Sequence, residues 1–263
     1  MERWPGARAI TTAATVVCLF LAGCGSSAKE RVSTRGSQQS PAPTTPAAPP
    51  QTVPNYPTFT AAVAKGGVSA VGIYDAPGAE TPRSTLENPN PFYGPEFPRV
   101  FLVKEQRGDW LDVMLPMRPN GTTGWIKQSD VELSPPLDFR IVVELGAHRL
   151  SLYHRNDLIM QEPVGTGRAA TPTTVGFFYV TELVKVLPEQ ESAYGPFALG
   201  LSAYSEVHYS FGGGDGQMGI HGTGDPSTVG QDVSNGCIRM TNEAITALID
   251  TIPGRGVPVE IRP

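Results

Sequence analysis

The residues of this chain best suited to chemistry are a histidine and a cysteine, each beside a glycine. His221 is followed by Gly222 and Thr223, and Cys237 lies within Ser234-Asn235-Gly236-Cys237-Ile238-Arg239-Met240. A free thiol keeps most of its protons at neutral pH, and a neighbouring imidazole removes that limit, so a cysteine with a histidine partner can be a nucleophile. A tight turn containing glycine can aim successive backbone amides inward. The N–H groups of Asn235, Gly236 and Cys237 are therefore candidates for an oxyanion hole. Arg239 lies two residues past the thiol, and in an extended segment both side chains project to one face. A substrate carboxylate is then its natural partner, and a structural salt bridge is the alternative.

Other chemistries fit less well. His208, His221, Asp215 and Cys237 are the right types for zinc, but no paired-ligand spacing supports a metal site. Gly165-x-Gly167-x-x-Ala170 loosely matches a dinucleotide fingerprint, yet Pro172 and the β-branched, aromatic run after it cannot open a helix. The glycine run at 212–216 is no phosphate loop, since no Gly-Lys-Ser/Thr follows, and reads as a flexible loop beside a groove. No cofactor is expected. The net charge of -5, with no basic stripe interleaved with aromatics, argues against nucleic acid. His148 and His154 read as surface or structural residues, and His208, between Tyr204 and Tyr209, as the one that could line the groove.

The elements that must position these residues read as strands. The 29 glycines and 26 prolines, with many short apolar runs, favour a mainly β chain. Phe139–Glu144 and Arg149–Tyr153 can pair around Gly146-Ala147. Upstream, Ala70–Tyr74, Arg99–Lys104 and Trp110–Leu115 are strand-like, Asn120-Gly121 is a hairpin signal, and Gly124-Trp125-Ile126 follows. Residues 85–98, with four prolines, read as a long loop. Ser134-Pro135-Pro136-Leu137 is a short, stiff link that suggests a fixed orientation between two domains.

His-Gly-Thr followed by Ser-x-Gly-Cys-Ile-Arg-Met closely resembles the signature of the L,D-transpeptidase (YkuD-like) catalytic domain. Val164-Gly165-Thr166-Gly167, Thr171-Pro172-Thr173 and Gly176-Phe177-Phe178 add to that resemblance. It implies a β-sandwich over residues 138–262 with the active site in a groove at one end. It also implies Cys237 as nucleophile, His221 as general base and acid, and the Gly222 carbonyl as the group orienting His221. The substrate-binding candidates are Arg239, Ser234, Thr223 and Tyr204. The implied partners are peptidoglycan stem tetrapeptides. Attack on the third residue releases D-Ala, and an amine of a second stem completes a 3-3 cross-link. Carbapenems are implied as inhibitors that acylate Cys237, with acylation falling at low pH as a thiolate–imidazolium pair is lost. Asn235 stands where one branch of the family has histidine. Resolution by water would make an L,D-carboxypeptidase, and a non-catalytic, tethered wall-binding lipoprotein is the other alternative. Residues 67–134 resemble a bacterial SH3-like barrel, which implies either a wall-binding module or a spacer packed on the catalytic domain.

The start of the chain gives an expected address. Arg3 and Arg8 precede an apolar stretch, Ala9–Ala22, that is too short for a comfortable membrane span and fits a signal peptide. Leu21-Ala22-Gly23-Cys24 resembles the lipobox of bacterial lipoproteins, so residues 1–23 read as a lipoprotein signal peptide and Cys24 as the lipidated residue. An ordinary signal peptide or a short anchor is the alternative. Residues 24–66 read as a Pro/Ser/Thr-rich disordered tether, able to reach on the order of 100 Å. The expected location is outside the cytoplasm, anchored to the membrane by lipid and reaching into the wall. With Cys18 removed and Cys24 lipidated, Cys237 has no disulfide partner, and is either reactive or a buried bystander.

Overall fold

The computed structural model describes residues 56–210 and 214–263. The signal segment, the lipobox and the tether up to residue 55 lie outside the described residues, as does part of the glycine run at 212–216. Alternation of apolar side chains marks some of the strands that follow, such as Trp110–Met114 and Thr123–Lys127, and continuous buried runs mark others, such as Phe139–Glu144 and Phe197–Tyr204.

The N-terminal strands are Thr60–Ala64 (β1), Ala70–Ile73 (β2), Ser84–Glu87 (β3), Val100–Arg107 (β4), Trp110–Met114 (β5), Thr123–Lys127 (β6) and Val131–Leu133 (β7). Five of them form an antiparallel sheet in the order β6-β5-β4-β1-β7, and β2 pairs with β3. In β5, Leu111 and Val113 point inward while Trp110, Asp112 and Met114 stay half-buried. They join Val71, Ile73, Phe101 and Ile126 in one apolar core.

Two expectations need correction here. The tether does not extend to residue 66, because β1 lies inside that span. Its small residues Ala61 and Ala62 are fully buried between β4 and β7, which a proline-rich composition upstream conceals. The long loop at 85–98 is also shorter, since Ser84–Glu87 is β3. Its exposed Ser84, Thr85 and Glu87 show no apolar alternation to betray a strand.

The C-terminal strands are Phe139–Glu144 (β8), Arg149–His154 (β9), Asp157–Pro163 (β10), Thr166–Gly167 (β11), Gly176–Lys185 (β12), Phe197–Tyr204 (β13), Gln217–His221 (β14), Asp232–Ser234 (β15), Ile238–Arg239 (β16) and Pro258–Arg262 (β17). Eight run in the order β10-β9-β8-β17-β12-β13-β14-β16, and β11 pairs with β15. The first half of β12 pairs with β17 and the second half with β13, with a register shift between Val180 and Glu182. A bulge of this kind bends a strand. The halves fold into a β-sandwich around Ile141, Leu152, Phe178, Leu199, Ile220 and Ile261.

The chain is mainly β, as its composition implies, but a helix of ten residues, Asn242–Thr251, closes the core; Glu191–Tyr194 is a short helix before it (α1, with Asn242–Thr251 as α2). Thr241 caps α2 by accepting from the Ala244 N–H, and Ala244, Ile245 and Leu248 bury one stripe.

The two sheets meet along an apolar seam of Phe59, Ala61, Val100, Leu102, Leu137 and Tyr179. The Tyr179 hydroxyl, fully buried, is 3.0 Å from the Val100 carbonyl and 3.1 Å from that of Met114. The link at 134–137 is itself tied down, with the Ser134 N–H on the Ala61 carbonyl and the Leu137 N–H on that of Phe59. Both sheets belong to a single compact unit, Gln51–Pro263.

Candidate active site

Strand pairing brings the histidine and the cysteine together. β14 ends at His221, β16 starts one residue past Cys237, and the two strands run parallel with Ile220 opposite Ile238 and His221 opposite Arg239. His221, Cys237, Arg239, Asn235 and Ser234 line one cleft of about 160 Å³.

The turn before Cys237 is held almost entirely by hydroxyl groups. Ser234 Oγ donates to the Cys237 carbonyl (2.6 Å) and accepts from the Gly236 N–H (3.0 Å). Thr171 Oγ1 donates to the Ser234 carbonyl and Thr173 Oγ1 to the Gly236 carbonyl, both at 2.9 Å. Thr173 Oγ1 in turn accepts from the Gly167 N–H at 2.8 Å. Gly236 has φ +120°, a conformation that disfavours any side chain. The Thr-Pro-Thr segment is therefore the scaffold of the cysteine turn. The Gly236 amide is already engaged, which removes it from the oxyanion candidates. Among the described residues, no protein acceptor is bonded to the N–H of Asn235 or Cys237. The Asn235 side chain accepts from Arg168 Nη2 at 2.6 Å, so it braces the turn.

His221 is 5% exposed, and its Nδ1 lies 2.6 Å from the Gly222 carbonyl. With Nδ1 donating there, Nε2 is left as the acceptor. The Tyr194 ring packs edge-on at 5.0 Å, and Asn242 at the start of α2 accepts from the Thr223 N–H at 2.9 Å. Burial pulls His221 down to about 4; the Gly222 carbonyl opposes this, and Arg239 adds to it. Burial pushes the Cys237 thiol up, against the Gly219 N–H and Arg239, which favour the thiolate. Both effects favour uncharged groups. Burial thus weighs against the thiolate–imidazolium pair that the resemblance implies.

The family described as L,D-transpeptidase catalytic domain (YkuD) matches residues 138–261. The protein designated L,D-transpeptidase YkuD in Bacillus licheniformis is 35% identical over 127 residues, covering 48% of this chain and 67% of that protein. Its Bacillus subtilis counterpart is 32% identical over 117 residues, covering 44% of this chain and 62% of that protein. The chain belongs to the YkuD L,D-transpeptidase family. Among solved structures, L,D-transpeptidase 3 from Mycobacterium tuberculosis, in complex with a faropenem-derived adduct, is 13% identical. That match covers 63% of this chain and 91% of that one, with a TM-score of 0.40.

The remaining candidates of this L,D-transpeptidase domain divide clearly. Arg239 lines the cleft, its backbone pairs with Gly165 in both directions at 2.8 Å, and its Nε is buried without a hydrogen-bond partner. Among the described residues no carboxylate is ion-paired with it, so the structural salt bridge is not found. Ser234 reaches the cleft, but its hydroxyl is spent inside the turn. Tyr204 and Thr223, expected to bind substrate, do not line the cleft. Tyr204 is buried in the contact with the N-terminal sheet, its hydroxyl donating to the Pro116 carbonyl at 2.9 Å. Thr223 is buried, and its hydroxyl accepts from the Asp225 N–H. Sequence reasoning missed Gly219, Tyr194, Ser205 and Gln217. The first two reach the pair from neighbouring backbone or a short helix, and the others line the cleft with no motif to announce them.

Proposed function

We propose that this chain is a lipid-anchored L,D-transpeptidase that forms 3-3 cross-links between peptidoglycan stem peptides outside the cytoplasm. The observation that carries the reading is the single cleft shared by Cys237 and an imidazole fixed on the Gly222 carbonyl. In the first half-reaction, His221 Nε2 takes the thiol proton while Sγ attacks the carbonyl carbon of the third stem residue. Burial disfavours charge on both groups, so proton transfer accompanies C–S bond formation. The amides of Asn235 and Cys237 are the donors for the oxyanion, each such donor being commonly worth about 3 kcal/mol. Collapse breaks the peptide C–N bond, the D-Ala nitrogen takes the proton from Nε2, and a thioester remains. In the second half-reaction the side-chain amine of another stem attacks the thioester and gives its proton to Nε2. The thiolate leaves and recovers that proton. Arg239 meets a substrate carboxylate, which its lack of a protein carboxylate partner favours.

The strained carbonyl of a β-lactam enters the same first step, so carbapenems acylate Cys237. Cleavage before Cys24, lipidation of that residue and the tether behind it put the catalytic unit within reach of the wall. The N-terminal sheet is an SH3-like module whose contacts with the sandwich favour the packed spacer over a free wall-binding domain. The test is mass spectrometry of the soluble mature fragment, produced without residues 1–24 and incubated with disaccharide-tetrapeptide. Cross-linked dimer with D-Ala release is the expected product. Tripeptide alone means an L,D-carboxypeptidase, and unchanged substrate means a non-catalytic binder.

A further inference from the structure

One wall of the cleft, formed by Ser205, His208 and Gly216, precedes β14 in the chain. Arg118, in the connection between β5 and β6 of the N-terminal sheet, reaches into that wall. Its Nη1 donates to the Asp215 carbonyl at 2.7 Å, and its Nη2 to the carbonyls of Ser205 (3.0 Å) and His208 (2.9 Å). The guanidinium also lies 4.8 Å from the ring centre of Tyr204 and 5.0 Å from that of Tyr209. Among the described residues no carboxylate takes part, and the Asp215 carboxylate accepts from the Gln217 N–H instead. Three carbonyls meet one planar fork only when Ser205, His208 and Asp215 keep one mutual arrangement. That is recognition of shape, which a guanidinium can perform and a point-like ammonium cannot. The wall is also closed tightly around it. Gly216 has φ +78°, and a Cβ there would fall 2.0 Å from the His208 carbonyl and 2.8 Å from Arg118 Nη2. The Ser205 N–H donates to the Gly216 carbonyl at 2.9 Å, and Ser205 Oγ accepts from the His208 N–H at 3.0 Å.

We propose that Arg118 is a positioning residue: it holds the Ser205, His208 and Gly216 wall in the shape that seats the acyl donor, which makes the N-terminal sheet part of the working cleft. This rests on the reading that the cleft takes a stem peptide. Misplacing a wall by a fraction of a bond length costs orientation of the reacting carbonyl and leaves the Cys237–His221 pair itself intact.

The test uses the full mature chain with Arg118→Ala, Arg118→Lys and Tyr179→Phe, the last removing a hydrogen bond of the seam away from the cleft. D-Ala release gives KM and kcat, iodoacetamide gives Cys237 reactivity, and amide exchange is read at Ser205 and His208. Arg118→Ala should raise KM at least about tenfold, quicken exchange at both amides and leave alkylation of Cys237 unchanged. Arg118→Lys, which keeps the charge and loses the fork, should behave the same way, and it carries the test if Arg118→Ala does not fold. Tyr179→Phe should keep the wild-type KM. A wild-type KM in Arg118→Lys, or an equal rise of KM in Tyr179→Phe, overturns the proposal. If the wild type releases no D-Ala, the transpeptidase reading fails. Amide exchange still judges Arg118 in that case, and unaltered protection at Ser205 and His208 overturns its positioning role.

Discussion

The turn that carries Cys237 and the seam between the two sheets are built by the same means and differ in how they are spread along the chain. In both, side chains are spent on backbone groups. At the turn, Thr171, Thr173 and Ser234 bond to carbonyls and amides of residues 234–237, and every participant comes from two short segments. At the seam, Arg118, Asn120 and Tyr179 each reach carbonyls in the other sheet, far away in sequence. The turn shapes the setting of Cys237 directly. The seam sets the frame around it. Four changes separate these two roles.

The largest effect is expected at the reacting pair. Cys237→Ser and His221→Ala should each lower turnover on the order of 10³–10⁴-fold, and the double variant should be little worse than either single one, because the two groups act as a unit. Steady-state D-Ala release checks this, and strictly additive losses would mean that a different base serves Cys237.

A second effect follows from the burial of His221. Its value is depressed from 6.5 to about 4 in the folded protein, so below pH 6.5 the unfolded chain binds the proton first. The stability associated with this group is fully present above that pH and is lost as pH falls to about 4. The loss should total about 3 kcal/mol. Denaturant melts across that window should show this slope in the wild type and lack it in His221→Ala. Turnover should persist to about pH 5 and fall only as the imidazole takes a proton near 4.

Thr173→Val comes next. It leaves the Gly167 N–H and the Gly236 carbonyl without their shared hydroxyl, at a cost of about 1–3 kcal/mol. Because the damage falls on the cysteine turn, kcat should drop along with stability, and a variant that loses stability at full kcat would detach this hydroxyl from the turn. Tyr179→Phe is the mildest. It should cost about 1 kcal/mol of seam stability, read as a lower denaturant midpoint, while kcat stays at the wild-type value.

The same contrast explains what could be read in the sequence. His221, Gly222, Gly236 and Cys237, with the Thr-Pro-Thr run, stand in short segments that match the family signature, but only the pairing of β14 with β16 brings the histidine and the cysteine together. Strands such as β5, with Leu111 and Val113 inward, follow from apolar alternation, whereas β12 and β13 beside the site are continuous buried runs. Helix α2 went unread, although Ala244, Ile245 and Leu248 have helical spacing behind the Thr241 cap, because the surrounding glycine and proline content favours strands. Tyr204 is a substrate-binding candidate in the sequence, yet it does not line the cleft. Its true partner, the Pro116 carbonyl, belongs to another sheet, and no local pattern announces such a pairing. Arg118 was invisible for the same reason. The proton affinity of the imidazole depends on burial, which a motif does not encode: burial pulls His221 down to about 4, so it stays neutral in mildly acid solution where a solvated histidine takes a proton.

The central claim is that Cys237 is the acyl-accepting nucleophile, and intact-protein mass spectrometry with a carbapenem tests it most directly. The folded wild type should gain the mass of one whole drug molecule, mapped after digestion to the peptide holding Ser234 to Met240, with the modification on Cys237. Cys237→Ser should gain nothing. An adduct on a serine such as Ser234, or no adduct on the folded wild type, would contradict the account.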